Sequence, residues 1–121
     1  MIDARDIGEV AAKVLTQEGR EGKVYTLTGP AAISFYEVAG VLSEVLGREV
    51  SYVAVSLGKA KEAMLAMGFP EWRVDALNEY AKAHSEGYSD WTTGDSEGLT
   101  GHPVTSYKEF ASDYEEVFRG G

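Results

Sequence analysis

Apolar and polar positions follow two different periods along this chain, and the switches between them mark its elements. At the centre, Val24-Tyr25-Thr26-Leu27-Thr28 is a β-branched and aromatic run closed by Gly29-Pro30, the pattern of a short strand bounded by breakers. The spacing then becomes helical: Phe35, Val38, Ala39, Leu42, Val45 and Leu46 recur at three- and four-residue intervals, so one helix face is apolar. Ser34 and Glu37 have the spacing of a capping box, in which the hydroxyl accepts from an orphan amide and the carboxylate accepts in return. Ile33 and Val38 sit where a hydrophobic staple would. Gly47 marks the stop, and Val50-Ser51-Tyr52-Val53-Ala54-Val55 reads as a second strand. Strand, helix and strand with short connections predict a right-handed parallel crossover.

Asp6 and Glu9 repeat the capping-box spacing ahead of Ile7, Val10, Ala11, Val14 and Leu15, predicting a helix over 7–17 with Asp6 as its cap. So early a helix leaves little room for an opening strand, and the chain is expected to start at the tail of one. Downstream, Ser56 can cap a helix with Leu57, Ala60, Met64 and Met67 on one side, ended by Gly68. Pro70 suits the first turn of a helix over 71–85, whose inner stripe would be Trp72, Ala76, Leu77 and Tyr80. Residues 88–105 hold several glycines and Pro103, which leaves room only for a helical turn over 95–99; loops this long often border sites. Ser106 and Glu109 form another capping box before a last helix with Tyr107, Phe110, Ala111, Tyr114, Val117 and Phe118 on its apolar face. The expected fold is α/β, a small parallel sheet of two to three strands with about five helices, in a single domain over residues 1–121.

Composition narrows the function classes. With 20 acidic against 11 basic residues the net charge is -9, a surface that repels phosphate backbones and anionic lipid where no basic patch is concentrated. Between Ala83 and Tyr107 there is no Lys or Arg at all. Neither a nucleic-acid nor a membrane partner is expected. No apolar run approaches the length of a membrane span, the first residues lack the pattern of a signal peptide, and without cysteine there is no disulfide or thiolate chemistry. A cytoplasmic location is expected.

Motifs for chemistry are sparse. Gly94-Asp95-Ser96-Glu97-Gly98 matches the G-x-S-x-G pattern, but a nucleophile elbow requires a strand before and a helix after, and His102 follows too closely with no acid between Glu97 and it. No G-x-G-x-x-G follows a strand, no glycine loop ends in Lys-Ser or Lys-Thr, and no Tyr-x-x-x-Lys occurs. His84 with Glu86 or Asp90 lacks metal-ligand spacing. No catalytic, cofactor-binding or metal-binding residue is therefore assigned. In a parallel sheet the ligand crevice lies beyond the carboxyl ends of the strands. That rule singles out Thr28, Gly29 and Pro30, with Phe69, Trp72 and Trp91 as an apolar wall.

Several segments in order resemble one family. Residues 2–12 (Ile2-Asp3-Ala4-Arg5-Asp6-Ile7-Gly8-Glu9-Val10-Ala11-Ala12), 22–30, Phe35-Tyr36-Glu37-Val38-Ala39 and Leu46-Gly47-Arg48-Glu49-Val50 are similar to the C-terminal half of NmrA-like proteins. Gly68-Phe69-Pro70-Glu71-Trp72, Leu99-Thr100-Gly101-His102-Pro103 and the aromatic last helix continue the resemblance over essentially the whole chain. These proteins are atypical short-chain dehydrogenase/reductase relatives that include NAD(P)H-dependent quinone reductases and redox-sensing regulators. Their glycine-rich cofactor loop has no counterpart here. The resemblance implies NAD(P)H for the full-length family and none bound by this chain alone. It carries Thr28-Gly29-Pro30 and the region of Phe69 to Trp72 over as cleft positions, with no catalytic residue. The expectation is a substrate-side module, not a competent oxidoreductase alone, that binds a small aromatic molecule or a protein and pairs as a homodimer or with a partner subunit. The alternative is part of an NAD(P)H-dependent quinone-type oxidoreductase whose cofactor loop comes from another chain.

Overall fold

The structure, a computed structural model, describes residues 1–120. It divides into two units, residues 1–52 together with those from 91 onward, and residues 53–90. The described residues form seven helices and no β-strand: α1 (Ala4–Thr16), α2 (Phe35–Leu46), α3 (Leu57–Ala66), α4 (Glu71–Ser85), α5 (Asp95–Thr100), α6 (Tyr107–Asp113) and α7 (Glu115–Phe118). The expected small parallel sheet is thus corrected. A strand exists only where a neighbour takes its amides and carbonyls, and the two β-like runs find no such neighbour among the described residues. Around Thr26, side chains do the pairing instead: its amide donates to Asp95 Oδ2 at 2.7 Å, and the Thr93 hydroxyl donates to its carbonyl. At Val50 both backbone groups meet the Ser43 hydroxyl, the amide donating at 2.9 Å and the carbonyl accepting at 3.0 Å. Val24 and Val53, side chains a sheet would bury, are 92 % and 74 % exposed.

The helices follow the capping signals closely. Ser34 and Ser106 each complete a capping box, with Glu37 and Glu109 accepting from the cap amides at 2.6 and 2.8 Å. Ser56 caps α3 by accepting from the Lys59 amide. Gly47 adopts φ 63° at the end of α2, the left-handed conformation that stops a helix there. The helix predicted over 7–17 begins three residues earlier, because Asp3 rather than Asp6 is its cap, accepting from the Arg5 amide at 2.8 Å. The last helix is broken at Tyr114 (φ -111°, ψ 23°) into α6 and α7.

In the first unit, α1 packs on α5 and α2 packs on α6 and α7. Ala111 and Ala39 are both buried, small residues that let the backbones of α2 and α6 come close. Lys108 Nζ and Glu44 close the same interface at 2.5 Å. The apolar stripe expected on α1 is rotated: Asp6 and Val10 are buried, whereas Ile7 and Leu15 are exposed. In the second unit, α3 and α4 form an antiparallel pair around Val74, which is fully buried. Lys61 bridges them, 2.6 Å from Asp75. The inner stripe predicted for α4 faces out, with Trp72 73 % and Tyr80 66 % exposed. Periodicity identifies an apolar face but not whether anything within the chain covers it.

Candidate functional site

The first unit contains a pocket of about 690 Å³. Its apolar wall comes from Ile2 at the chain start, Pro30 and Ile33 ahead of α2, Val41 on α2, and Tyr107 and Phe110 on α6, with Glu37, Thr105 and Lys108 among the polar groups. Its size lies within the range of small-molecule sites. Two helix caps shape it, since the Ser34 box starts α2 and the Ser106 box starts α6 at its rim. Burial raises the Tyr107 phenol above its ordinary pKa. Glu37 is held below the ordinary carboxylate value, first by the Ser34 amide and then by the Ser34 hydroxyl.

Of the residues predicted to form a cleft, Pro30 lines this pocket. Thr28 is occupied structurally: its hydroxyl accepts from the Thr93 amide at 2.9 Å. Gly29 is buried, and a Cβ there would lie 1.8 Å from the Met1 carbonyl oxygen. Its missing side chain therefore admits the chain's own backbone. Trp91, in the same unit, is 51 % exposed. Phe69 and Trp72 belong to the second unit, where Phe69 is half-buried under the Arg73 guanidinium, 5.0 Å from its ring centroid, and Trp72 is exposed.

The G-x-S-x-G serine is no nucleophile in this geometry. Ser96 is fully buried in α5 with no protein hydrogen-bond partner for its Oγ, and His102 is engaged by Glu9 and by the Pro103 carbonyl. Among the described residues no group of three or more His, Cys, Asp or Glu could hold a metal ion. The glycine at the end of the first β-like run is closed by Met1, so that turn does not offer the open glycine backbone that a pyrophosphate uses at a helix N-terminus.

Sequence reasoning missed a polar row on α1. Asp6, Glu9 and Lys13 all reach toward the segment that follows α5. Asp6 Oδ2 accepts from the Thr105 amide at 3.0 Å and Oδ1 from its hydroxyl at 3.1 Å. Lys13 Nζ donates to the Thr100 carbonyl at 2.7 Å, and Glu9 Oε2 meets His102 Nε2 at 2.8 Å. The three- and four-residue spacing of these α1 side chains was visible in the sequence; their common target, some ninety residues on, was not.

No family model matches the chain. Among characterised proteins it is 43 % identical over 117 residues to an NAD(P)H azoreductase of Xenophilus azovorans, a match covering 97 % of this chain and 41 % of that protein. It is 32 % identical over 109 residues to quinone oxidoreductase 2 of Escherichia coli strain K12, covering 88 % of this chain and 37 % of the relative. Among solved structures, Citrobacter sp. triphenylmethane reductase complexed with NADP(H) superimposes with a TM-score of 0.78 at 32 % identity, over 93 % of this chain and 39 % of that one. The chain thus spans about two fifths of the length of each relative. Absence of a sheet in residues 1–120 and likeness to such proteins are compatible, because the match leaves three fifths of them uncovered. Along nearly its full length, this chain is similar to part of NAD(P)H quinone- and azoreductase-like proteins, consistent with the resemblance to the C-terminal part of NmrA-like proteins.

Proposed function

We propose that the chain is the substrate-side part of an NAD(P)H-dependent reductase of quinone-type or azo-type acceptors, and that a glycine-rich cofactor-binding part comes from another segment or chain. The observation that carries this reading is a row of exposed apolar side chains: α4 leaves Trp72, Leu77 and Tyr80 exposed, in a chain that matches reductases over two fifths of their length. Side chains of this kind are what a second part would cover. The pocket between α2 and α6 is the place for an aromatic ring of the acceptor, with apolar contacts from Ile33, Val41 and Phe110. No step of the reduction is assigned to a residue here.

The test is complementation. The chain is mixed with the part of the Xenophilus azovorans azoreductase outside the match, and NADPH oxidation is followed with menadione or an azo dye as acceptor. Turnover in the mixture and in neither component alone is expected. Failure of the two parts to associate, with no turnover, contradicts the proposal. A second reading, a free-standing module that binds a small aromatic molecule without redox chemistry, is favoured by the pocket lying wholly within the first unit. It predicts that menadione alone raises the melting temperature of the isolated chain and that NADPH does not.

A further inference from the structure

We propose that His102 and Glu9 form a proton-operated latch that holds residues 101–104 against α1 and releases them as pH rises. His102 Nδ1 lies 2.9 Å from the Pro103 carbonyl oxygen and Nε2 lies 2.8 Å from Glu9 Oε2. With Glu9 ionised both oxygens are acceptors, so both contacts are hydrogen bonds only when both ring nitrogens carry a proton, which is the imidazolium cation. A neutral imidazole has one N–H. Whichever nitrogen loses its proton then sets a lone pair against an oxygen, and one of the two contacts turns repulsive.

The flanking contacts carry no such requirement. Lys13 Nζ holds the Thr100 carbonyl at 2.7 Å on one side, and Asp6 holds Thr105 at 3.0 and 3.1 Å on the other. The latch therefore governs a short segment between two fixed points. The charges around it are accounted for by element. From α1, Glu9 attracts the imidazolium and Lys13, 3.4 Å from Glu9, opposes it; Asp6 is taken up by Thr105. From α5, Asp95 is turned to the Thr26 amide and Glu97 is exposed. From α6, Glu109 is bound to Ser106 and Lys108 to Glu44.

The sign follows from these contacts. The Pro103 carbonyl first, and then Glu9, raise the His102 pKa above its ordinary value. A raised value in the folded chain means the latch contributes fully below about pH 6.5, so long as Glu9 stays ionised, and is lost as pH rises through the folded-state value. Thr105, Ser106 and Tyr107, which line the pocket, lie beyond the Asp6 anchor, so the release is confined to the segment before them. This inference does not depend on the reductase reading.

The experiment is a ring-nitrogen NMR titration of the full chain from pH 5.5 to 9, with backbone order parameters of residues 101, 102 and 104 recorded at both ends. The chain has only two histidines, so His102→Gln identifies the signal. The expected result is a His102 midpoint above the ordinary value, a downward shift of that midpoint in Glu9→Gln, and a fall in the order parameters across the same midpoint that His102→Gln abolishes. A midpoint unchanged by Glu9→Gln, or order parameters that do not follow it, overturns the proposal. Circular dichroism at each pH confirms that every variant is folded.

Discussion

At the scale of single residues, the side chains that matter most here join distant parts of the chain. Asp6 has the sequence context of a helix cap, yet Asp3 caps α1 and Asp6 is buried as the acceptor for two Thr105 donors. Asp6→Ala leaves both donors unpaired, and an unsatisfied buried group costs about 1–3 kcal/mol. Urea denaturation should show a loss of about 2 kcal/mol, against about 1 kcal/mol for Thr105→Val, which removes only the hydroxyl bond. Gly29→Ala places a methyl 1.8 Å from the Met1 carbonyl oxygen. Overpacking of this kind costs typically 1–3 kcal/mol, so a lowered denaturation midpoint is expected there as well. Several carboxylates set the acid limb. Asp3 is held below its ordinary pKa by the Arg5 guanidinium and then the Arg5 amide, and Glu9 by His102. Depressed values mean stability that is present above about pH 4 and lost as pH falls through the folded-state values. Urea midpoints measured from pH 6 to pH 2.5 should therefore fall, and Arg5→Leu should flatten that fall.

At the scale of elements, start and stop signals were the most legible part of the sequence. A capping box is a local device, and Ser34 with Glu37 and Ser106 with Glu109 form theirs where the spacing placed them. Replacing an N-cap serine with alanine typically costs about 1 kcal/mol. Ser34→Ala and Ser106→Ala should each lower stability by about that amount, and the double variant by about the sum, since the caps begin different helices; calorimetric melting checks this. What was not legible was everything that needs a distant partner. The run at 24–28 has strand composition but spends its backbone bonds on Thr93 and Asp95. The α4 stripe has core composition but faces out. In both cases the local pattern records what the residues suit and not what they meet. The six cleft residues were placed by reference to a sheet edge; of these, Pro30 lines the pocket in the first unit.

At the scale of the whole molecule, the described chain buries few large apolar side chains and exposes many, Trp72, Tyr80, Tyr88 and Val117 among them. No helix among the described residues is long and apolar enough to cross a membrane, so those faces are not membrane spans. As proposed above, this chain provides the acceptor side of a reductase and depends on a separate part for the dinucleotide. The direct test is calorimetric titration of NADPH, first into the chain alone and then into its mixture with the part of the Xenophilus azovorans azoreductase outside the match. The account predicts no binding heat with the chain alone and saturable micromolar binding in the mixture that excess menadione perturbs. Saturable binding of NADPH to the isolated chain, with the same affinity as in the mixture, would contradict it.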